Sequence, residues 1–419
     1  MSGESTVRGA ARHGAIVFAG VVGGYGATYV YYVLCARGLG VEPYGLLSAM
    51  LGAVLLSALP SSMVTIVVAR AAAMLRAASD DAALAGLARR ATRALFPALL
   101  VAAGAGVAGG WLLARLFRVG DPVVIGLMLG AAALTAVLPL QRAVLQGAGD
   151  FAGFAFSNIL EGAVRALCAI AVLAGFGGLR FAVAGFLVAA AAAFALNIVL
   201  LGRVAPAAAV PPPRVDLRRS MLAALPLGAI MLMTFLDVIV IRSAVPAREA
   251  GLYVTAALVG RALITATTAI PTVLLPHVVH RAAQGRSAVP LLGAALGAGA
   301  VVAAVVTGIC FAVPRLVLLL VGGAAYVDAA PLLVPYALAA SALAGATIVA
   351  TYLAGVHRSY VGIPVAVIAV AEAAAIIAFA HHAGEAVRIV LAGHSAAFFC
   401  CVAAALISGG TFRRATVRA

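Results

Sequence analysis

"ARGLGVEPYGLL" occupies residues 36–47 and interrupts two long apolar runs, residues 15–34 before it and 46–69 after it. A helix needs about 20 apolar residues to cross the hydrocarbon core of a bilayer, so the interruption reads as a tight turn between two antiparallel spans. Gly38 and Gly40 stop the first helix, and Pro43 suits the opening of the next. A second island of the same kind, "RSAVPAREAGLY" at residues 242–253, follows half a chain later. Arg37 and Arg242 stand at the helix ends beside these islands. Either the islands are purely structural turns, or these two side chains hold an anionic group.

The rest of the chain repeats the pattern of long apolar runs and short breaks. Apolar residues make up 65% of the 419 and charged residues 10%, which excludes an ordinary soluble globule. Twelve apolar stretches of spanning length are centred near Val22, Leu56, Gly104, Ala132, Ala166, Ala190, Ile230, Leu263, Ala300, Ser341, Val370 and Ala397. None alternates with the period of two that a membrane barrel strand would show. The expected fold is an all-α polytopic membrane protein with about 12 transmembrane helices. The first run is long for a signal peptide and lacks a small-residue exit, so it is read as a retained helix.

All 28 basic residues are Arg. Taking alternate connections, 18 fall on one side and 8 on the other, with Arg165 and Arg261 inside spans. The richer side is expected to be cytoplasmic, with both termini there. The five cysteines lie in apolar surroundings without metal-like spacing and read as small packing residues.

The second island prompts a search for an internal repeat. Residues 59–71, "LPSSMVTIVVARA", align with residues 270–282, "IPTVLLPHVVHRA". Pro60 and Arg70 then fall opposite Pro271 and Arg281, each pair 211 apart, and Glu161 and Glu372 share that spacing. Gly45 and Gly251 align at 206. The expected domains are an N-terminal six-helix bundle over 1–205, a Pro- and Arg-rich cytoplasmic linker over 206–219, and a C-terminal six-helix bundle over 220–419. Six spans per half give both halves the same orientation, related by a pseudo-two-fold axis along the membrane normal with a central cleft between them.

These stretches also carry a family resemblance. "ARGLGVEPYGLLSAMLGAVLLSALPSSM" resembles the opening signature of the polysaccharide (O-antigen-type) flippases of the multidrug/oligosaccharidyl-lipid/polysaccharide exporter superfamily. "LQGAGDFAGFAFSNILEGAVRAL" (residues 145–167) is similar to the start of that family's fifth helix. "LDVIVIRSAVPAREAGLYVTAALVGRAL" (residues 236–263) is similar to its seventh and eighth helices, and "LVLLLVGGAAYVDAAPLL" (residues 316–333) to its ninth-to-tenth connection. The resemblance implies a transporter of the bacterial inner membrane that flips a lipid-linked saccharide, carried on undecaprenyl pyrophosphate, from the cytoplasmic to the outer leaflet. It implies alternating access driven by an ion gradient, in the service of cell-surface polysaccharide biosynthesis. Membrane lipids, a polysaccharide polymerase and glycosyltransferases would be its partners, and nucleic acid would not. Relatives that flip the peptidoglycan precursor typically carry two more helices, which lowers that substrate.

Charged groups inside spans cost about 2.5–3.5 kcal/mol each at mid-helix on insertion scales, so each needs a reason. Asn158, Glu161 and Arg165 share one helix face. Glu161 and Arg165 have the spacing of an ion pair, which either locks the bundle or leaves Arg165 to meet phosphate with Glu161 as counter-ion or proton site. Asp237 is placed to bridge to Arg242 or Arg261, or to take up a coupling cation. Glu372 has no basic residue within a turn on its own helix, and an unpaired buried carboxyl suits a proton-coupled step. The candidate cargo-binding residues are therefore Arg37, Arg70, Asn158, Arg165, Arg242 and Arg261. Those for ion coupling are Glu372, Glu161 and Asp237. His277, His280 and His357 fall near cytoplasmic span ends, and His381 and His382 near the outer face.

With no Lys in the chain, a Walker A lysine and a Schiff-base lysine are both excluded. No enzyme activity, cofactor or metal cluster is expected. A cation-coupled multidrug exporter of the same superfamily is the alternative, and predicts a cleft rich in carboxylates and aromatics. The chain has one Trp and few buried acids, which weighs against it. A non-transport membrane partner of polysaccharide assembly would need a large external loop. The longest connections, near residues 77–93 and 203–219, are too short to supply a soluble domain.

Overall fold

The computed structural model describes residues 2–205, 210, 217–284, 286–356 and 358–416. Among these residues every regular element is a helix. Among the same residues twelve segments, each a single helix or consecutive helices, are long and apolar enough to span a membrane, and each contains one of the twelve expected centres. In hydrocarbon each backbone N–H and C=O must be satisfied within the protein, and a helix does this within one segment.

Helix α1 (Ser2–Leu39) passes to α2 (Val41–Leu56) through Gly40 alone, which takes the left-handed conformation at φ +78°. The expected tight turn is present. Gly38, however, stays helical, and Pro43 lies inside the first turn of α2. After a break at Ser57 and Ala58, α3 (Leu59–Ala77) completes the second span. The first half continues with α4 (Asp81–Arg93), α5 (Leu95–Phe117), α6 (Pro122–Gly147), α7 (Phe151–Leu173) and α8 (Gly178–Val204). The second half holds α9 (Leu217–Ala244), α10 (Ala247–Thr267), α11 (Ala269–Ala283), α12 (Val289–Ala312) and α13 (Pro314–Val321). A 3-10 turn at Ala324–Ala329 then leads to α14 (Ala330–Gly355), α15 (Gly362–Phe379) and α16 (Ala383–Thr416).

Local chemistry accounts for several of these boundaries. The side chains of Asp80, Asp121 and Asp150 accept from the N–H groups of Ala83, Val123 and Gly153, capping α4, α6 and α7. The second and eighth spans each break just before the Pro pair of the repeat, at Ser57–Ala58 ahead of Pro60 and at Thr268 ahead of Pro271. Proline lacks an N–H and clashes with the carbonyl four residues back, so a helix restarts there more readily than it continues. The stretch 77–93, expected as a connection, is mostly helix. In α4, Leu84, Leu87, Ala88 and Ala91 pack with Val68 and Ala72 of α3 and Val144 and Leu145 of α6, while Arg89, Arg90 and Arg93 are exposed. Most of the linker at 206–219, and His357, lie outside the described residues.

The chain groups into two compact units, Met1–Leu39 with Ser57–Ser220 and Gly40–Leu56 with Met221–Ala419. Helix α2 therefore belongs with the second unit although its sequence lies in the first half. Within the first unit α1 runs along α7. A Cβ on Gly24 would meet the Asn158 backbone, one on Gly162 the Gly24 carbonyl, and one on Gly38 the Val172 carbonyl. Small residues allow such backbone approach where lipid offers no hydrophobic drive to association. In the second unit α10, α11, α12 and α16 pack on α14, and α2 packs on α10. Gly45 and Gly251, paired by the repeat, are also in contact: a Cβ on Gly45 would lie 2.9 Å from Gly251 Cα, and one on Gly251 would strike the Val41 carbonyl.

Candidate functional site

Among the described residues, polar side chains gather inside each unit. In the first unit Glu161 of α7 is held between two guanidiniums. Arg142 of α6 donates from Nη2 to Glu161 Oε2 at 2.6 Å and to the Ser157 carbonyl at 3.0 Å, and from Nε to Ser157 Oγ at 3.1 Å. Arg165 donates to Glu161 Oε1 one turn away, and to Thr28 Oγ1 of α1 at 3.2 Å. Its guanidinium lies 3.7 Å from the centre of the Phe186 ring, a cation–π contact. Both Glu161 and Arg165 are buried. The cluster carries one carboxylate against two guanidiniums and ties α1, α6 and α7 together. Nearby, Asn197 of α8 donates to Gln141 Oε1 at 3.2 Å, and Gln141 donates to Thr92 at 3.3 Å. Asn158 turns its amide to the Phe154 carbonyl of its own helix, at 2.9 Å.

In the second unit Asp237 of α9, 1% exposed, accepts at Oδ2 from the hydroxyls of Tyr253 and Tyr336, each at 2.7 Å. The two rings meet edge to face at 5.5 Å. Glu372 of α15 and His394 of α16 face each other beside them, with Oε1 and Nε2 3.7 Å apart. Asp237 lies within electrostatic reach of both Glu372 and His394. Asp237 Oδ1 and Glu372 Oε2 are buried without a hydrogen bond, so acceptor capacity is left over in an apolar setting where it is costly. Arg261 of α10 donates to the Thr234 carbonyl at 3.1 Å and stacks 4.8 Å from the Phe235 ring.

Of the residues expected at a site, the structure gathers Glu161 with Arg165, and Asp237 with Glu372. Arg37, in the last turn of α1, and Arg70, within α3, are exposed, while Arg242, in the last turn of α9, is half-buried. The sequence reading missed four participants. Arg142 was counted among the flanking arginines, and Tyr253 and Tyr336 carry no pattern of their own. His394 did leave a signal, a lone imidazole in the apolar run "LAGHSAAFF". Among the described residues no three His, Cys, Asp or Glu side chains are grouped to hold a metal ion.

Outside the spans, His382 and Asp121 are shifted by their partners. A hydrogen bond to Glu249, at 3.1 Å, and that residue's charge raise the His382 imidazole above its usual range. A hydrogen bond from Arg180 holds the Asp121 carboxyl below its own. Glu249 also accepts from the Ala383 N–H at 2.7 Å, joining the start of α10 to the start of α16.

No family model matches the sequence, and no curated relative matches it. The fold does match solved structures. An inward-facing multidrug resistance MATE family transporter of the MOP superfamily aligns with a TM-score of 0.73 at 12% identity, over 93% of this chain and 95% of that one. The eukaryotic MATE transporter AtDTX14 aligns at 0.62 and 14%, over 97% of each chain. A MOP superfamily transporter from Pyrococcus furiosus, described as having a binding pocket of reverse polarity that suggests a different function, aligns at 0.63 and 13%, over 95% and 94%. At such identity the likeness bears on fold alone. This chain is a multi-pass membrane protein with the fold of the MATE transporters of the MOP superfamily.

Proposed function

We propose that the chain is an ion-coupled exporter of amphipathic, cationic compounds. The observation that carries this reading is the cluster of Asp237, Glu372, Tyr253 and Tyr336 inside the second unit. Sequence counting weighed against an exporter because buried acids are few. Two of them lie together with two aromatic rings, the residue types that reading calls for. Among the described residues neither carboxylate accepts a hydrogen bond from an arginine. Tyrosine hydroxyls stabilise Asp237 without cancelling its charge, so a charge-compensating ion is favoured there. Asp237 and Glu372 are the proposed ion-coupling residues, and Glu161 is a structural counter-ion to Arg142 and Arg165. The test is efflux of a cationic dye from cells producing the full chain. Asp237→Asn and Glu372→Gln should each lower gradient-driven efflux at least about tenfold, about 1.4 kcal/mol in the barrier, at unchanged membrane levels. No efflux of any cationic dye by the wild-type chain would overturn the reading.

A second reading keeps the cargo anionic, a lipid-linked saccharide moved from the cytoplasmic to the outer leaflet of the bacterial inner membrane by alternating access between two six-helix bundles. What supports it is the excess of guanidinium over carboxylate in the first unit. Arg37, Arg70, Asn158, Arg165, Arg242 and Arg261 are its proposed contacts. Arg165, however, is already engaged by Glu161 and Thr28 and covered by Phe186, so a phosphate would have to displace Glu161. Depleting the protein and locating labelled polyprenyl-linked saccharide decides it: build-up on the cytoplasmic leaflet supports flipping, and an unchanged distribution excludes it.

A further inference from the structure

His394 is 1% exposed in the middle of the last span, and its surroundings fix how many protons it needs. Nδ1 lies 3.0 Å from the Ala339 carbonyl oxygen. A carbonyl only accepts, so Nδ1 carries a proton. Nε2 faces Glu372 Oε1 at 3.7 Å, and the Met233 carbonyl also acts on the ring. Every neighbour in this set is an acceptor. A neutral imidazole has a single N–H, and Ala339 already takes it. Without a further proton, a lone pair on Nε2 would look at a carboxylate in an apolar interior. With one, either as a Glu372 carboxylic acid or as an imidazolium, the pair is compensated.

The carboxyl is also seated. Its Oε2 occupies the space that a side chain at Gly393 would need, so the residue before His394 clears room for Glu372. Among the described residues the other titratable groups within electrostatic reach of the pair are Asp237 on α9, Tyr253 on α10 and Tyr336 on α14, and Arg261 of α10 acts on Tyr336. Asp237 is already bonded to the two tyrosines, and Arg261 is bonded to the Thr234 carbonyl. We propose that Glu372 and His394 form a single one-proton site, and that His394 is the residue that makes the coupling ion of this chain a proton. The proposal rests on the exporter reading and names its ion. The proton is taken from water on one side of the membrane and returned to water on the other, and no bond besides O–H or N–H is made or broken. Sodium favours a shell of oxygen donors, whereas an imidazole with its second proton repels a metal cation.

The experiment uses the purified full-length protein in lipid nanodiscs and needs no cargo. Isotope-edited infrared spectra of the Glu carboxyls and ¹⁵N spectra of labelled His are followed against pH, in sodium chloride and in choline chloride. The expected result is one proton on the pair at neutral pH, lost in a single step as pH rises, at the same midpoint in both salts. Glu372→Gln should abolish the step. His394→Asn, which keeps an amide donor for Ala339, should shift the midpoint while thermal stability holds, a change that packing alone would not produce. Loss of the proton on adding sodium at fixed pH would overturn the proposal, as would the absence of a proton on the pair throughout the folded range. Should His394→Asn fail to fold, the wild-type comparison of the two salts still decides. A proton signal without dye efflux would remove the exporter reading and leave the site standing. Efflux without the signal would remove the site alone.

Discussion

Neutralising Glu161 takes from Arg142 and Arg165 the carboxylate they share, leaving Arg142 bonded to Ser157 and Arg165 to Thr28. Breaking a buried ion pair from one side costs roughly 3–5 kcal/mol, whereas replacing the whole set with packed apolar residues is often neutral. Glu161→Gln should therefore lower the thermal stability of the detergent-purified protein sharply. The triple variant Arg142→Met, Glu161→Leu, Arg165→Met should regain most of it, and no recovery would show that the helices depend on the charges themselves. Tyr336→Phe should cost roughly 1.5–3 kcal/mol, the range for a hydrogen bond to a charged group, and leave Asp237 with Tyr253 alone. A loss within error in denaturant unfolding would mean that the hydroxyl is not carrying the carboxylate. At this scale the sequence was partly readable. Glu161 and Arg165 meet through helix periodicity, which spacing reveals. Glu372 and His394 meet across two helices, and no local pattern encodes that.

Among the elements, glycines decide which helices come close. Gly251→Ala should drive α2 and α10 apart and cost about 1–3 kcal/mol by overpacking, because the new methyl meets the Val41 backbone rather than a movable side chain. Gly293→Ala in α12, with open space around it, should be neutral or stabilising by about 0.4–1 kcal/mol. Equal thermal shifts for the two would remove the contact as the cause. The joint between α10 and α16 has a pH dependence of definite sign. His382 is raised in the folded protein, so its stabilisation is full below the unfolded value of about 6.5 and is lost as pH rises through the higher folded value. Hydrogen exchange at the Ala383 amide should quicken over that window, and Glu249→Gln should flatten the response. Pro60 and Pro271 were read only as landmarks of the repeat and not as helix breaks, whereas the spans were legible because length and hydropathy suffice to find them. Helix α4 was not, since its arginine-bearing face lowers its hydropathy to that of a loop.

Across the whole molecule, the repeat read from Pro60, Arg70, Glu161 and their partners follows the order of the helices: Glu161 lies in the fifth span and Glu372 in the eleventh. What the repeat did not disclose is that the chain enters the second unit twice, once for α2 alone. A chain cut within residues 206–216 should therefore yield two fragments that purify together, because the first carries a helix belonging to the second unit. Clean separation in mild detergent would sink that expectation. The same excursion imposes a schedule on synthesis. Gly45 emerges 206 residues ahead of Gly251, and at about 5–20 residues per second the ribosome takes roughly 10–40 s to bridge the gap. Throughout that interval α2 resides in the bilayer without the neighbour that its glycine face is shaped to meet. Elongation speed between the two helices, and any insertase that shelters the waiting one, then govern how much of the nascent chain matures.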